Sequence, residues 1–230
     1  MNLPSLNKSY SSILIVVLLI IISKTYATSE TRPNILLIVA DDLGYADLGV
    51  YGSEIETPEL DKLASEGVVF TQFHTAPLCS PTRAMLLSGN NNHVAGVANQ
   101  HRDGLAGVSV DGYNAGLSDR VIPFPKLLEQ SGYNTYIAGK WHLGSKINQR
   151  PPKMGFKRSL VMAQGGASHF DSRSYFPGEA TYIFNGEIIE RPNNDYSSKL
   201  FTNTIINFIE QDLDTKQPFF TYAAYTAPHW

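Results

Sequence analysis

Four polar clusters in this sequence carry groups whose types and spacing suit chemistry. The first is Asp41-Asp42 at the end of an apolar run. Adjacent carboxylates offer hard oxygen ligands to Ca²⁺ or Mg²⁺; the alternative is a turn or helix cap. The second is Cys79-Ser80-Pro81-Thr82-Arg83, with Ser88-Gly89 behind it. Cys79 stands just ahead of a helix start, where free N–H groups and the helix dipole favour an anion, and Arg83 lies one turn on. A thiolate phosphatase would need an arginine six residues after the cysteine, and that position is Met85. The alternative is a structural cysteine beside a cap. The third is Gly139-Lys140-Trp141-His142-Leu143-Gly144. In an extended segment Lys140 and His142 project to one side, a cation beside an acid/base group; the alternative is a solvated Lys and a loop His. The fourth is Ala227-Pro228-His229, where a single His is more often structural. Together they describe one site: acids for a divalent cation, an unpaired cysteine, an arginine, a lysine and two histidines. That set suits cleavage of an ester of sulfate or phosphate.

Such groups need a scaffold, and the pattern supplies one. Asn34 to Ala40 reads as a strand buried on both faces. Thr57-Pro58 opens a helix running to Glu66. Val68 to Phe73 reads as a second strand, Pro81 to Leu87 as a helix, and Pro125 to Gln130 as a short helix. Tyr133 to Ala138 reads as a third strand. Residues 145–195 are loop-rich, with a hairpin around Tyr182 to Glu190. Tyr196 to Leu213 has helical spacing, and Pro218 to Tyr225 reads as a fourth strand. Residues 90–120, rich in Asn and Gly, read as a long surface segment shaping a cleft. This alternation predicts an α/β fold, a mostly parallel sheet flanked by helices, with its chemistry beyond the C-terminal strand ends. His93, His101 and His169 fall in the segments that would line the pocket and receive no role.

Composition narrows the function classes. Hydrophobic residues make up 43% and charged residues 17%, which excludes a disordered or coiled-coil chain. The net charge of -3 argues against a nucleic-acid partner. One cysteine in the sequence excludes a disulfide scaffold. Lys8, an apolar run from Ile13 to Ile22, and Thr25-Tyr26-Ala27 form the order of a secretory signal cut after Ala27. That run rises only ~15 Å as a helix, too short for a bilayer core of roughly 30 Å. The expectation is therefore residues 1–27 as signal peptide, residues 28–230 as the working domain, no stable membrane span after cleavage, and a periplasmic or secreted protein. In an oxidising compartment Cys79 has three readings: a buried inert thiol, an intermolecular bridge, or a reactive or modified residue.

The same residues carry a resemblance. Cys79-Ser80-Pro81-Thr82-Arg83 with Ser88-Gly89 resembles the first sulfatase signature, with Ser88 where Thr is usual. Gly132-Tyr133-Asn134-Thr135 through Gly139-Lys140-Trp141-His142-Leu143-Gly144 resembles the second. Asn34-Ile35 through Asp41-Asp42-Leu43-Gly44 is similar to the family's opening strand and metal loop. The similarity is to the bacterial arylsulfatase branch of the alkaline-phosphatase-like superfamily and covers Arg32 to Trp230. It implies a sulfuric ester hydrolase acting on aryl or carbohydrate sulfate esters. Cys79 would be oxidised to formylglycine by a formylglycine-generating or sulfatase-maturating enzyme. Asp41, Asp42 and the modified Cys79 would ligate Ca²⁺. Arg83 would hold the aldehyde hydrate, His142 would take its proton, Lys140 would bridge sulfate and hydrate, and His229 would contact sulfate and protonate the leaving oxygen. Family members are about twice as long, with a second metal pair and a further lysine beyond Trp230. This implies an N-terminal, truncated sulfatase domain, poorly active alone, with apolar surface exposed on its fourth strand. The competing functions are a phosphatase or phosphonate monoesterase of the same superfamily and a non-catalytic secreted binding protein.

Overall fold

Among the described residues, six strands form one mixed sheet in the order β1-β6-β2-β3-β4-β5. The structure, a computed structural model, describes residues 32–100, 111–114, 116–175 and 177–229. The expected signal segment and His101 lie outside the described residues. The strands are β1 (Ile35–Asp41), β2 (Asn134–Lys140), β3 (Arg158–Met162), β4 (Tyr182–Phe184), β5 (Glu187–Ile189) and β6 (Phe219–Pro228). The helices are α1 (Pro58–Glu66), α2 (Cys79–Ser88), α3 (Phe124–Gln130) and α4 (Ser197–Glu210). Strands β1, β6, β2 and β3 run parallel, and the β4–β5 hairpin adds an antiparallel edge. Asn185-Gly186, both at positive φ, makes its two-residue turn.

The period-2 alternation of β2 and β6 sorts side chains onto two cores. Ile137, Phe220, Tyr222 and Ala224 face α2 and α3, meeting Ala84, Leu87, Phe124 and Leu128. Tyr136, Ala138 and Ala223 face α4, meeting Leu200, Phe201, Ile205 and Phe208. Each fully buried Leu, Ile or Phe contributes roughly 1.5–3 kcal/mol, so both helix layers are held chiefly by these stripes. The resulting three-layer α/β/α arrangement leaves the ends of the strands free for a site.

Several expectations are corrected. β1 is not buried on both faces: it alternates, with Leu36 57% and Ile38 50% exposed. It is the sheet edge, and among the described residues nothing covers that face. The last strand, expected to expose apolar surface, is instead central between β1 and β2, with Phe220 to Ala224 buried. Val68 to Phe73 is not a strand. It folds against α1 and the Gly49–Tyr51 turn, lining an open apolar groove of about 500 Å³. Its valines and phenylalanines favour extended backbone, but strand structure needs a ladder partner, and the ladder on β1 is made by β6. Conversely, Arg158–Met162 is a strand inside the stretch read as loop-rich. Residues 90–120 are not only surface, since Ala95, Val97 and Leu117 are buried.

Candidate active site

Three adjacent parallel strands deliver the polar clusters to one end of the sheet. Asp41 ends β1, Lys140 ends β2, and His229 follows β6 directly. Asp41 pairs with Pro228 after a bulge at Val39/Asp41, and the His229 N–H donates to the Asp41 carbonyl at 2.9 Å. The ladder therefore fixes Asp41 and His229 relative to each other. Helix α2 brings the rest: Cys79 opens it and Arg83 lies one turn on. Gly89, at φ 65, closes it by donating its N–H to Met85 O. Ser88 back-bonds to Ala84 O at 2.6 Å and caps the Asn90 N–H, so the hydroxyl shared by Ser and Thr acts on backbone.

Asp41 is the buried centre. Lys140 Nζ lies 2.5 Å from its Oδ2, and Arg83 Nη2 lies 3.5 Å from its Oδ1. Arg83 also donates to the Lys140 carbonyl at 2.8 Å and to the Tyr222 hydroxyl at 3.3 Å. All three charged residues are at most 5% exposed. Burying such ions costs several kcal/mol each unless each is paired and hydrogen-bonded, as these are. Burial also pushes the Tyr222 phenol above its usual range.

Asp42 behaves oppositely. Its φ of 59 turns the chain outward and leaves it 62% exposed, within 3.9 Å of Cys79 Sγ and 3.7 Å of His229 Nε2. One carboxylate thus anchors cations inside while its neighbour faces the rim. Ligand atoms of Asp41, Cys79 and His229 lie within 4.8 Å of one another. Burial raises the Cys79 pKa, opposed by Lys140 and reinforced by Asp41 and Asp42. At neutral pH the group is a thiol, a weak nucleophile.

Lys140 and His142 do not share one extended segment, as the spacing suggested. The strand ends at Lys140, and His142 sits at φ 54. His142 stands beside the cluster: its carbonyl accepts from Ser80 Oγ at 2.8 Å, and its ring packs on Gly165, where a Cβ would come within 2.6 Å of Cε1. Two non-glycine residues in the left-handed region, Asp42 and His142, flank this one site, and such backbone strain concentrates at functional centres. Sequence reasoning gave His169 no role. The structure places its Nε2 2.8 Å from the His229 carbonyl. No spacing rule could find that contact, which joins residues sixty positions apart. His93 packs edge-on to Tyr113.

A parallel-centred α/β/α sheet with acids, cations and a histidine at its strand ends defines an α/β protein of the alkaline-phosphatase-like fold. The sulfatase family profile matches residues 33–230. The chain belongs to the sulfatase family. It is 41% identical over 215 residues to an uncharacterized sulfatase of Schizosaccharomyces pombe, covering 86% of this chain and 38% of that protein. It is 36% identical to an arylsulfatase of Klebsiella aerogenes, covering 92% and 46%. The solved structure of Ps i-CgsB with k-i-k-neocarrahexaose superposes with a TM-score of 0.73 at 33% identity, covering 86% and 46%. The chain spans less than half the length of each of these relatives.

Proposed function

We propose that the protein hydrolyses sulfate esters, aryl or carbohydrate, at the site built on Asp41, Asp42, Cys79, Arg83, Lys140, His142 and His229. The observation that carries the reading is the convergence of an unpaired cysteine, two carboxylates and two buried cations at the ends of three parallel strands. The thiol itself is a poor nucleophile here, which supports its conversion to formylglycine by a formylglycine-generating or maturating enzyme. The aldehyde hydrate would supply the hydroxyl that attacks sulfur.

The donor set fits a hard cation. Asp41 and Asp42 present carboxylate oxygens around Cys79, part of the six to eight that Ca²⁺ takes. Bound there, Ca²⁺ would supply positive charge to the sulfate oxygens. Asp41 would share its carboxylate between the ion, Lys140 and Arg83. Lys140, pinned between Asp41 and Cys79, would hold a sulfate oxygen; Arg83 would hold the modified residue through the same buried network. Fixed cations aimed at developing charge stabilise a transition state without reorganising. His229, held at the rim by its backbone, would deliver a proton to the leaving oxygen, and His142 would accept one from the hydrate.

The alternatives part on one experiment. Protein matured with a formylglycine-generating enzyme should hydrolyse aryl sulfate faster than aryl phosphate, and Cys79→Ala should abolish turnover. Mass spectrometry of the peptide spanning Leu78 to Arg83 should show the thiol replaced by an aldehyde. Preference for phosphate would point to a phosphatase; turnover by Cys79→Ala would remove the nucleophile. We further propose export to the periplasm or medium with cleavage after Ala27, so that the exported protein begins at Thr28. N-terminal sequencing that found Met1 would contradict it. No helix among the described residues is long and apolar enough to cross a membrane.

A further inference from the structure

We propose that His169 is a positioning residue for His229, holding the proton donor in line through the backbone. The role rests on the sulfate-ester reading above, in which His229 protonates the leaving oxygen.

The His229 N–H is tied to the Asp41 carbonyl at 2.9 Å. Its own carbonyl faces His169 Nε2 at 2.8 Å. A carbonyl only accepts, so Nε2 carries the hydrogen and donates it. In that tautomer Nδ1 accepts from Ser197 Oγ at 2.7 Å, and Ser197 Oγ in turn accepts from Thr226 Oγ1 at 3.2 Å. Ser197 and Thr226 are 2% and 5% exposed, so water does not compete for these bonds. Thr226 lies on β6, three residues before His229. The chain of donors therefore starts on β6 and ends on the residue that follows it, His229.

His169 is itself clamped. Its carbonyl accepts from the Ser197 N–H at 2.8 Å and from Arg191 Nη2 at 2.9 Å. Arg191 also donates to the carbonyls of Ser168, Asp171 and Asp195. The ring leans on Tyr196 with centroids 5.4 Å apart. A residue fixed on both sides in this way can set the position of another. Misplacement of a reacting group by about 1 Å costs ~100-fold in rate.

His169→Phe keeps the ring against Tyr196 and removes both nitrogens. His169→Gln keeps an N–H donor near the Nε2 position. Two readouts decide. Hydrogen exchange of the His229 amide should be ~10-fold or more faster in the Phe variant and close to wild type in the Gln variant. With matured enzyme, kcat of the Phe variant should fall ~10- to 100-fold on sulfates with poor leaving groups and much less on nitrophenyl sulfate, because only the former need the proton. Should the Phe variant fail to fold, Ser197→Ala, which frees the ring, should show the same leaving-group trend more weakly. Unchanged exchange, or a loss independent of the leaving group, would overturn the proposal. Wild-type enzyme inactive on every sulfate ester would sink the functional reading, and the exchange arm would still decide the positioning.

Discussion

Asp41 answers for two buried cations, Lys140 and Arg83. Replacing it with Asn keeps shape and hydrogen-bonding capacity but leaves both charges without a counter-ion. Removing one partner of a buried pair costs about 3–5 kcal/mol. Asp41→Asn should therefore lower unfolding free energy by that order in urea denaturation and weaken calcium binding measured by calorimetry. Asp42→Asn, at the exposed rim, should weaken calcium binding while changing stability by less than about 1 kcal/mol. Equal destabilisation by both would show that Asp41 is not the buried anchor.

At the scale of elements, the approach of β2 to β6 depends on Gly139. Its φ is 128, and a Cβ there would sit 1.8 Å from the Ala224 carbonyl oxygen. Gly139→Ala must break the Gly139↔Ala224 register one residue before Lys140. It should cost at least about 3 kcal/mol and pull Lys140 from Asp41. Thermal unfolding and a Lys140→Met control would separate the two effects: Gly139→Ala with wild-type stability would contradict the contact. Elements with a strong local signature were legible: β2 and β6 from their apolar runs, α2 from its proline, the β4–β5 hairpin from its spacing. Arg158–Met162 was not, because a short strand opening on Arg and Ser has no alternation to read. Val68 to Phe73 was over-read, because propensity cannot report whether a partner ladder exists. The clusters at the strand ends were legible because each follows directly on an apolar run. His169 was not, because its partners meet only in the folded chain.

At the scale of the whole molecule, a second ion-pair cluster lies at the end of the sheet away from the site. Beyond α4, Asp212 binds Arg158 at 3.1 Å, Lys157 at 3.3 Å and the Tyr136 hydroxyl at 2.7 Å. Arg158 chiefly holds the Asp212 pKa down to about 2, and burial pushes the Tyr136 phenol up. A carboxyl depressed on folding stabilises fully above its unfolded pKa of about 4 and loses that contribution as pH falls toward 2. Asp212→Asn should thus cost roughly 1–2 kcal/mol at pH 7, and its difference from wild type should shrink between pH 5 and pH 2. Turnover at neutral pH should be unaffected. A difference that stayed constant with pH would deny the ion pairs any part in stability.

The order β1-β6-β2 also acts as a ruler. Asp41, His229 and Lys140 stand at the ends of three neighbouring strands, and strands in a sheet are spaced about 4.8 Å apart. The floor of the site is therefore about 10 Å wide, and its width is set by backbone hydrogen bonds rather than by side chains. Substitutions at the floor can change its charge but cannot widen it without unzipping the sheet. On the sulfate-ester reading proposed above, fitting a larger or smaller alcohol would thus fall to the loops above the strands, where length is free to vary.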